Sequence, residues 1–250
     1  MADVELPLSE HLEELRRRLV RSLLATAVAF AFCYPQAEFF FDLLTAPLIA
    51  ASTDTGITAT LIGTGVAEAF FTRLKVAFIA SVFVALPVIL YQIWLFVLPA
   101  LRARELGYVR SFVVFGSGFF AAGGVFCYRV VLPIGIPFFL SEYTRIGVEP
   151  TLRISEYMSF AARMILAFGI TFEMPIATFF LARMGLVTHT TLIGASRYAV
   201  LVLFILAAIL TPPDVVSQLL MAVPLLILYG ISIGVAWVSS RDKRSGRDSL

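Results

Sequence analysis

An all-α integral membrane protein with six transmembrane helices is what this 250-residue chain predicts, and three observations predict it. Hydrophobic residues make up 60% of the chain and charged residues only 14%, which is not the balance of a soluble domain. Six apolar stretches each approach the roughly 20 residues that carry a helix across a bilayer. Lys and Arg are distributed unevenly between the two sides that six crossings define.

The spans read as 19–41, 74–98, 108–130, 157–182, 197–212 and 216–238, in one transmembrane domain covering 1–250. Ahead of the first, Leu8, Leu12, Leu15 and Leu19 recur at helical spacing, with Ser9 as N-cap and Glu10 in the first turn. Arg16-Arg17-Arg18 before an apolar run resembles a signal peptide, but an acidic amphipathic stretch precedes it and Phe32-Cys33-Tyr34-Pro35 offers no small-residue cleavage site. The first span is therefore expected to be retained. The second belongs to a longer helix expected to begin near Glu68 and bend at Pro87. In the third, Gly116, Gly118, Gly123 and Gly124 suit close helix packing.

The fifth span is short, so either local thinning of the membrane around it or a seat against neighbouring helices is expected. Thr211-Pro212-Pro213-Asp214 leaves only a tight turn before the sixth. Segments 42–73 and 131–156 are expected to form short helices and turns on one face, and the tail 239–250 to be disordered. No duplicated halves are visible.

Thirteen Lys and Arg fall on the side of the termini and five on the other, with Arg163 inside a span. By the positive-inside rule both termini are expected in the cytoplasm. A near-neutral charge and the lack of basic runs interleaved with aromatics argue against nucleic acid. Cys33 and Cys127 lie in apolar stretches without metal-ligand spacing, and no HExxH, GxSxG or phosphate-binding loop occurs, so neither a metal, a cofactor nor an enzymatic activity is expected.

Three acids could carry chemistry. Glu173 interrupts an apolar run, where insertion scales set the cost of a carboxylate at about 2.5–3.5 kcal/mol, and Pro175 opens the helical ladder beside it. It is either a protonated packing residue or a functional group. Glu14 pairs with Arg18 at i,i+4, as Glu13 does with Arg17, which suits a solvated helix. Glu105 is the only acid of the two internal loops on the terminus side. Glu14 and Glu105 together could also receive a cationic peptide, because guanidinium groups favour carboxylate partners.

Several segments together resemble one family. His11-Leu12-Glu13-Glu14-Leu15-Arg16-Arg17-Arg18-Leu19 is similar to the N-terminal signature of TatC, the multi-span subunit of the twin-arginine translocase. Ala46-Pro47-Leu48, Phe70-Phe71-Thr72-Arg73-Leu74-Lys75, Pro87-Val88-Ile89-Leu90-Tyr91-Gln92-Ile93-Trp94 and Pro99-Ala100-Leu101 fit the same family. So do Phe168-Gly169-Ile170-Thr171-Phe172-Glu173-Met174-Pro175 and Thr211-Pro212-Pro213-Asp214-Val215-Val216-Ser217-Gln218. The chain departs from the family in carrying less basic charge after Glu105, at Leu106-Gly107-Tyr108, and before the fifth span, at Ser196-Arg197-Tyr198.

The resemblance implies a concave, glove-like bundle in the inner membrane that receives twin-arginine signal peptides and exports folded proteins on the proton-motive force. It implies single-span partner subunits of the TatA and TatB type, contact with membrane lipids, and a homo-oligomer within a hetero-complex. Glu14 and Glu105 match its signal-peptide acids, and Glu173 its buried acid, here expected to dock a partner helix. Pro47, Phe96 and Asp214 match further functional positions. A competing expectation from the residues alone is a proton-coupled small-solute transporter working through Glu173.

Overall fold

The computed structural model describes residues 8–97, 106–211 and 215–245. Among these residues there are eight α-helices: α1 (Leu8–Cys33), α2 (Ala37–Thr55), α3 (Glu68–Val97), α4 (Leu106–Phe126), α5 (Leu132–Arg145), α6 (Ile154–Met184), α7 (His189–Leu210) and α8 (Val215–Ser245). Six helical stretches are long and apolar enough to cross a membrane. Glu105 and Asp214 lie outside the described residues.

The region 19–41 contains the end of α1, a 3-10 turn at Tyr34–Gln36, and the start of α2. Pro35 sits in that turn, where its missing N–H and fixed φ interrupt α-helical bonding at small cost. A π-helical turn, Cys127–Val131, likewise carries α4 directly into α5. The two segments expected to hold short helices instead hold α2, of 19 residues, and α5, of 14. α2 ends at Gly56, whose φ of 68° lies in the left-handed region where a Cβ would be strained.

The fold is all-α but for one feature that hydropathy does not reveal. β1 (Thr60–Ile62) and β2 (Thr151–Arg153) pair in parallel, Thr60 with Thr151 and Ile62 with Arg153. They join the loop before α3 to the loop before α6. Both helices therefore start at one level on the face opposite the termini.

That level is fixed by Glu68. Its Oε2 accepts from the Thr64 N–H at 2.6 Å and from the Gly65 N–H at 3.1 Å, reaching back as the acid of a capping box does. Its Oε1 accepts from the backbone N–H of Ser155 at 3.2 Å, on α6. One carboxylate thus caps α3 and ties it to α6.

α6 is central, packing on α3, α4, α7 and α8, whereas α1 packs on α3. The larger core cluster includes Leu44 of α2, Leu132 of α5, Phe168 of α6 and Leu225 of α8. A second holds Trp94, Phe112 and Phe180 from α3, α4 and α6, with the Trp94 and Phe112 ring centroids 4.2 Å apart. α7 is the least buried of the spans. It begins at His189, where Thr188 caps it through a bond from the Thr191 N–H at 3.2 Å. Its 22 residues measure about 33 Å, enough for a hydrocarbon core of about 30 Å, so the expected membrane thinning is not required.

Glycines set the approach of α4 to α6. A Cβ on Gly123 would lie 2.5 Å from the Phe168 carbonyl oxygen, and one on Gly169 2.8 Å from the Phe120 ring. Gly124 abuts Phe83 in the same way, whereas Gly118 faces open space. A Cβ on Gly116 would likewise stand 3.1 Å from Leu90, so three of the four glycines expected to serve packing do so.

Gly123→Ala is expected to destabilise the protein by about 1–3 kcal/mol, because a helix backbone must move to admit the methyl group. Gly118→Ala should leave thermal stability in detergent unchanged or slightly raised. Equal unfolding temperatures for the two variants would refute this account of the α4–α6 contact.

Candidate functional site

Glu14 and Glu173 occupy two separate places in the bundle. The first is the junction of α1 and α3 on the terminus-bearing side. Arg18 donates to the Glu14 carboxylate at 2.9 Å and to the Gln92 side-chain oxygen of α3 at 3.4 Å. The side chains of Glu14 and Arg18 are 24% and 19% exposed, whereas Glu13 and Arg17, 3.6 Å apart, are largely exposed. Two pairs with identical spacing in sequence therefore differ in kind. Glu13 is a solvated helix charge worth a few tenths of a kcal/mol. Glu14 is held at a helix–helix contact.

The Arg18 Nε is buried without a hydrogen-bond partner among the described residues. The guanidinium is therefore under-satisfied where it stands. Glu14 retains acceptor capacity beyond the one oxygen Arg18 uses. Phe96, one helical turn beyond Gln92 on α3, is half-buried.

The second place is inside the bundle. Glu173 lies four residues past the midpoint of α6, about 6 Å from it toward the terminus-bearing face. It points at α4, where a Cβ on Gly116 would stand 3.0 Å from its Oε2 and 3.1 Å from Leu90 of α3. The missing side chain of Gly116 makes the room that the carboxylate fills. Both Glu173 oxygens are buried, and neither has a hydrogen-bond partner among the described residues. The Ser117 hydroxyl on α4 is in the same condition. Pro175 sits inside α6, so the Thr171 carbonyl lacks its helical N–H donor within one turn of the acid.

An uncompensated carboxyl in such surroundings weakens the isolated fold, and groups of this kind in membrane spans mark functional sites. Leu90 and Gln92, which reach the two places, are two residues apart on α3 and so project about 200° apart around its axis. α3 thus contributes one residue to each of the two places.

Pro47 is on neither site. It is buried within α2 on the opposite face, where the Tyr157 hydroxyl donates to the Leu44 carbonyl at 2.9 Å. That bond ties α2 to α6 beside the carbonyl that Pro47 leaves unbonded. The roles of Arg18, Gln92 and Glu68 were not legible as such. The Gly65-Val66-Ala67-Glu68 spacing alone hints at a cap, since Glu68 reaches back three residues.

Residues 10–224 match the family model for the Sec-independent protein translocase protein TatC. The TatC protein of Desulforapulum autotrophicum is 46% identical over 242 residues, spanning 97% of this chain and 88% of that protein. The TatC protein of Campylobacter jejuni is 42% identical over 226 residues, spanning 90% of this chain and 91% of its own. The crystal structure of the twin-arginine translocase receptor TatC superposes with a TM-score of 0.83 at 34% identity, covering 92% of this chain and 99% of that one. A small-solute transporter finds no support in these similarities.

Glu173→Leu is expected to raise the thermal stability of the isolated protein, by about 1–3 kcal/mol, because it removes an unpartnered buried carboxyl at similar volume. Unfolding in detergent checks it; a destabilised variant would mean that Glu173 is satisfied within the fold.

Proposed function

Because this chain belongs to the TatC family, we propose that it is the signal-peptide receptor and core subunit of a twin-arginine translocase. The observation that carries this reading is Glu14, a partly shielded carboxylate held by Arg18, which also donates to Gln92 where α1 meets α3. A carboxylate already positioned for a guanidinium group favours an arginine ligand over a lysine one, because the planar fork of arginine engages both oxygens. Glu105 supplies the second acid for the second arginine.

In this reading the terminus-bearing face is cytoplasmic and the protein spans the inner membrane, as the bias of Lys and Arg supports. The chain acts without catalysis, cofactor or nucleic acid. It gathers single-span partners of the TatA and TatB type, in a homo-oligomer within a hetero-complex, and the proton-motive force drives folded cargo outward. Glu173 serves as the docking point for a partner helix. Its unpartnered oxygens gain a hydrogen bond only when a polar group of another helix arrives. Phe96 belongs to the receptor and Pro47 to the support of the opposite face, and Asp214 is a further functional position.

Photo-crosslinking of a twin-arginine signal peptide in inner-membrane vesicles tests the receptor. Glu14→Gln and Glu105→Gln should each lower the crosslink about tenfold or more, the consequence of losing one charge-assisted contact of about 1.5–3 kcal/mol. A twin-lysine peptide should crosslink weakly to the wild-type protein. Equal crosslinking of both peptides, indifferent to either substitution, would sink the reading. Glu173→Ala should abolish crosslinks to the partner helix and export while leaving peptide capture intact; unchanged partner association would remove Glu173 from that role.

A further inference from the structure

Three arginines on the face opposite the termini have partners. Arg145 pairs with Glu142 at 2.8 Å and Arg153 with Glu156 at 3.3 Å. Arg73 lies over the Tyr34 ring, 5.3 Å from its centroid. Lys75, Arg129 and Arg163 have no acidic partner among the described residues, and of these Lys75 and Arg163 converge on one residue of α6. The Lys75 Nζ donates to the Ser159 hydroxyl at 2.6 Å, and the Arg163 Nε donates to the Ser159 carbonyl at 3.0 Å. Two like charges are thereby gathered around a single turn, against their mutual repulsion.

Their depth is informative. Arg163 is nine residues beyond the start of α6, about 14 Å along its axis, and Lys75 is seven beyond the start of α3, about 10 Å. These helices, of 31 and 30 residues, measure about 45 Å and exceed a hydrocarbon core of about 30 Å by about 15 Å. With that excess shared between the two ends, the cationic groups reach the boundary where lipid phosphates lie.

Arg163 also lines a recess of about 660 Å³ floored by Phe139, Leu140, Phe160 and Ile209. Glu142, Glu156 and Arg153 of its rim are already paired. Among the described residues Arg163 is thus the charge without an ion-pair partner in a hollow of apolar floor and paired, polar rim.

We propose that Lys75 and Arg163 bind the phosphodiester of an anionic phospholipid of the phosphatidylglycerol type, with an acyl chain lying in the recess. The Arg163 fork meets two phosphate oxygens and Lys75 adds a point charge. A lipid meets all three features at once: negative charge, interfacial depth and an apolar tail.

Reconstitution of the full chain into phosphatidylcholine vesicles carrying trace spin-labelled phosphatidylglycerol or phosphatidylcholine tests this. The wild-type protein should motionally restrict the anionic lipid preferentially. Lys75→Gln and Arg163→Gln should each reduce that preference about fivefold, the effect of one cation near the membrane surface. The charge-conserving double variant, Lys75→Arg with Arg163→Lys, should keep it, as should Arg145→Gln, which removes a paired arginine. Equal restriction of both lipids by the wild type, or a preference surviving the double glutamine variant, would overturn the proposal. So would equal competition by inorganic phosphate, which would reassign the pair to a soluble anion.

Discussion

The contact between α4 and α6 is the constraint on which the remaining structure depends. Between helices in lipid no hydrophobic force favours association, so close packing must supply it. Gly123 brings one backbone against the carbonyl of Phe168, and Gly169 receives the ring of Phe120 in return. Phe112 and Phe180 continue the seam, with centroids 5.0 Å apart, and Trp94 joins it from α3. At this separation the Glu173 side chain has one place to go, the space that Gly116 leaves empty. The packing that makes the bundle stable is also what confines its costliest side chain.

α3 relates the two candidate sites. One of its faces offers Gln92 to Arg18 and another offers Leu90 to the Gly116–Glu173 contact. A ligand that draws Glu14 away from Arg18 would change what holds α1 to α3, two residues from the packing around the buried acid. In the proposed receptor, α3 is thus a rigid element shared by peptide capture and partner docking. Its other end is fixed by Glu68, which accepts from α6 as well as capping its own helix. The shared element is held at both ends, on one side by a satisfied carboxylate and on the other by an arginine whose Nε is left over.

Polar groups in this molecule accordingly divide by satisfaction. Glu68, Tyr157 and Thr188 have hydrogen-bond partners, and they shape the fold. Among the described residues, Glu173 and Arg18 keep buried atoms without partners, and Lys75 and Arg163 have no acidic partner. An unsatisfied group in a bilayer has little water to fall back on, so another molecule must complete it. A peptide, a partner helix and a lipid are the three completions proposed for these three places.

Sequence by itself determined the class of the fold and the residues worth asking about. Six apolar stretches and few charges leave little alternative to a helical bundle in a membrane, because unpaired backbone is too costly there. Glu173 is conspicuous as an acid in an apolar run, and the glycines of α4 announce a close contact. Glu14 was less legible: its spacing to Arg18 equals that of Glu13 to Arg17, and only the approach of α3 with Gln92 makes one pair shielded and the other solvated. The parallel strands, the Glu68 tie and the meeting of Lys75 with Arg163 at Ser159 join segments 84 to 91 residues apart, which no local pattern encodes. Periodicity and hydropathy report the solvent that each residue faces. Which residue faces another across the bundle was decided by helix packing alone.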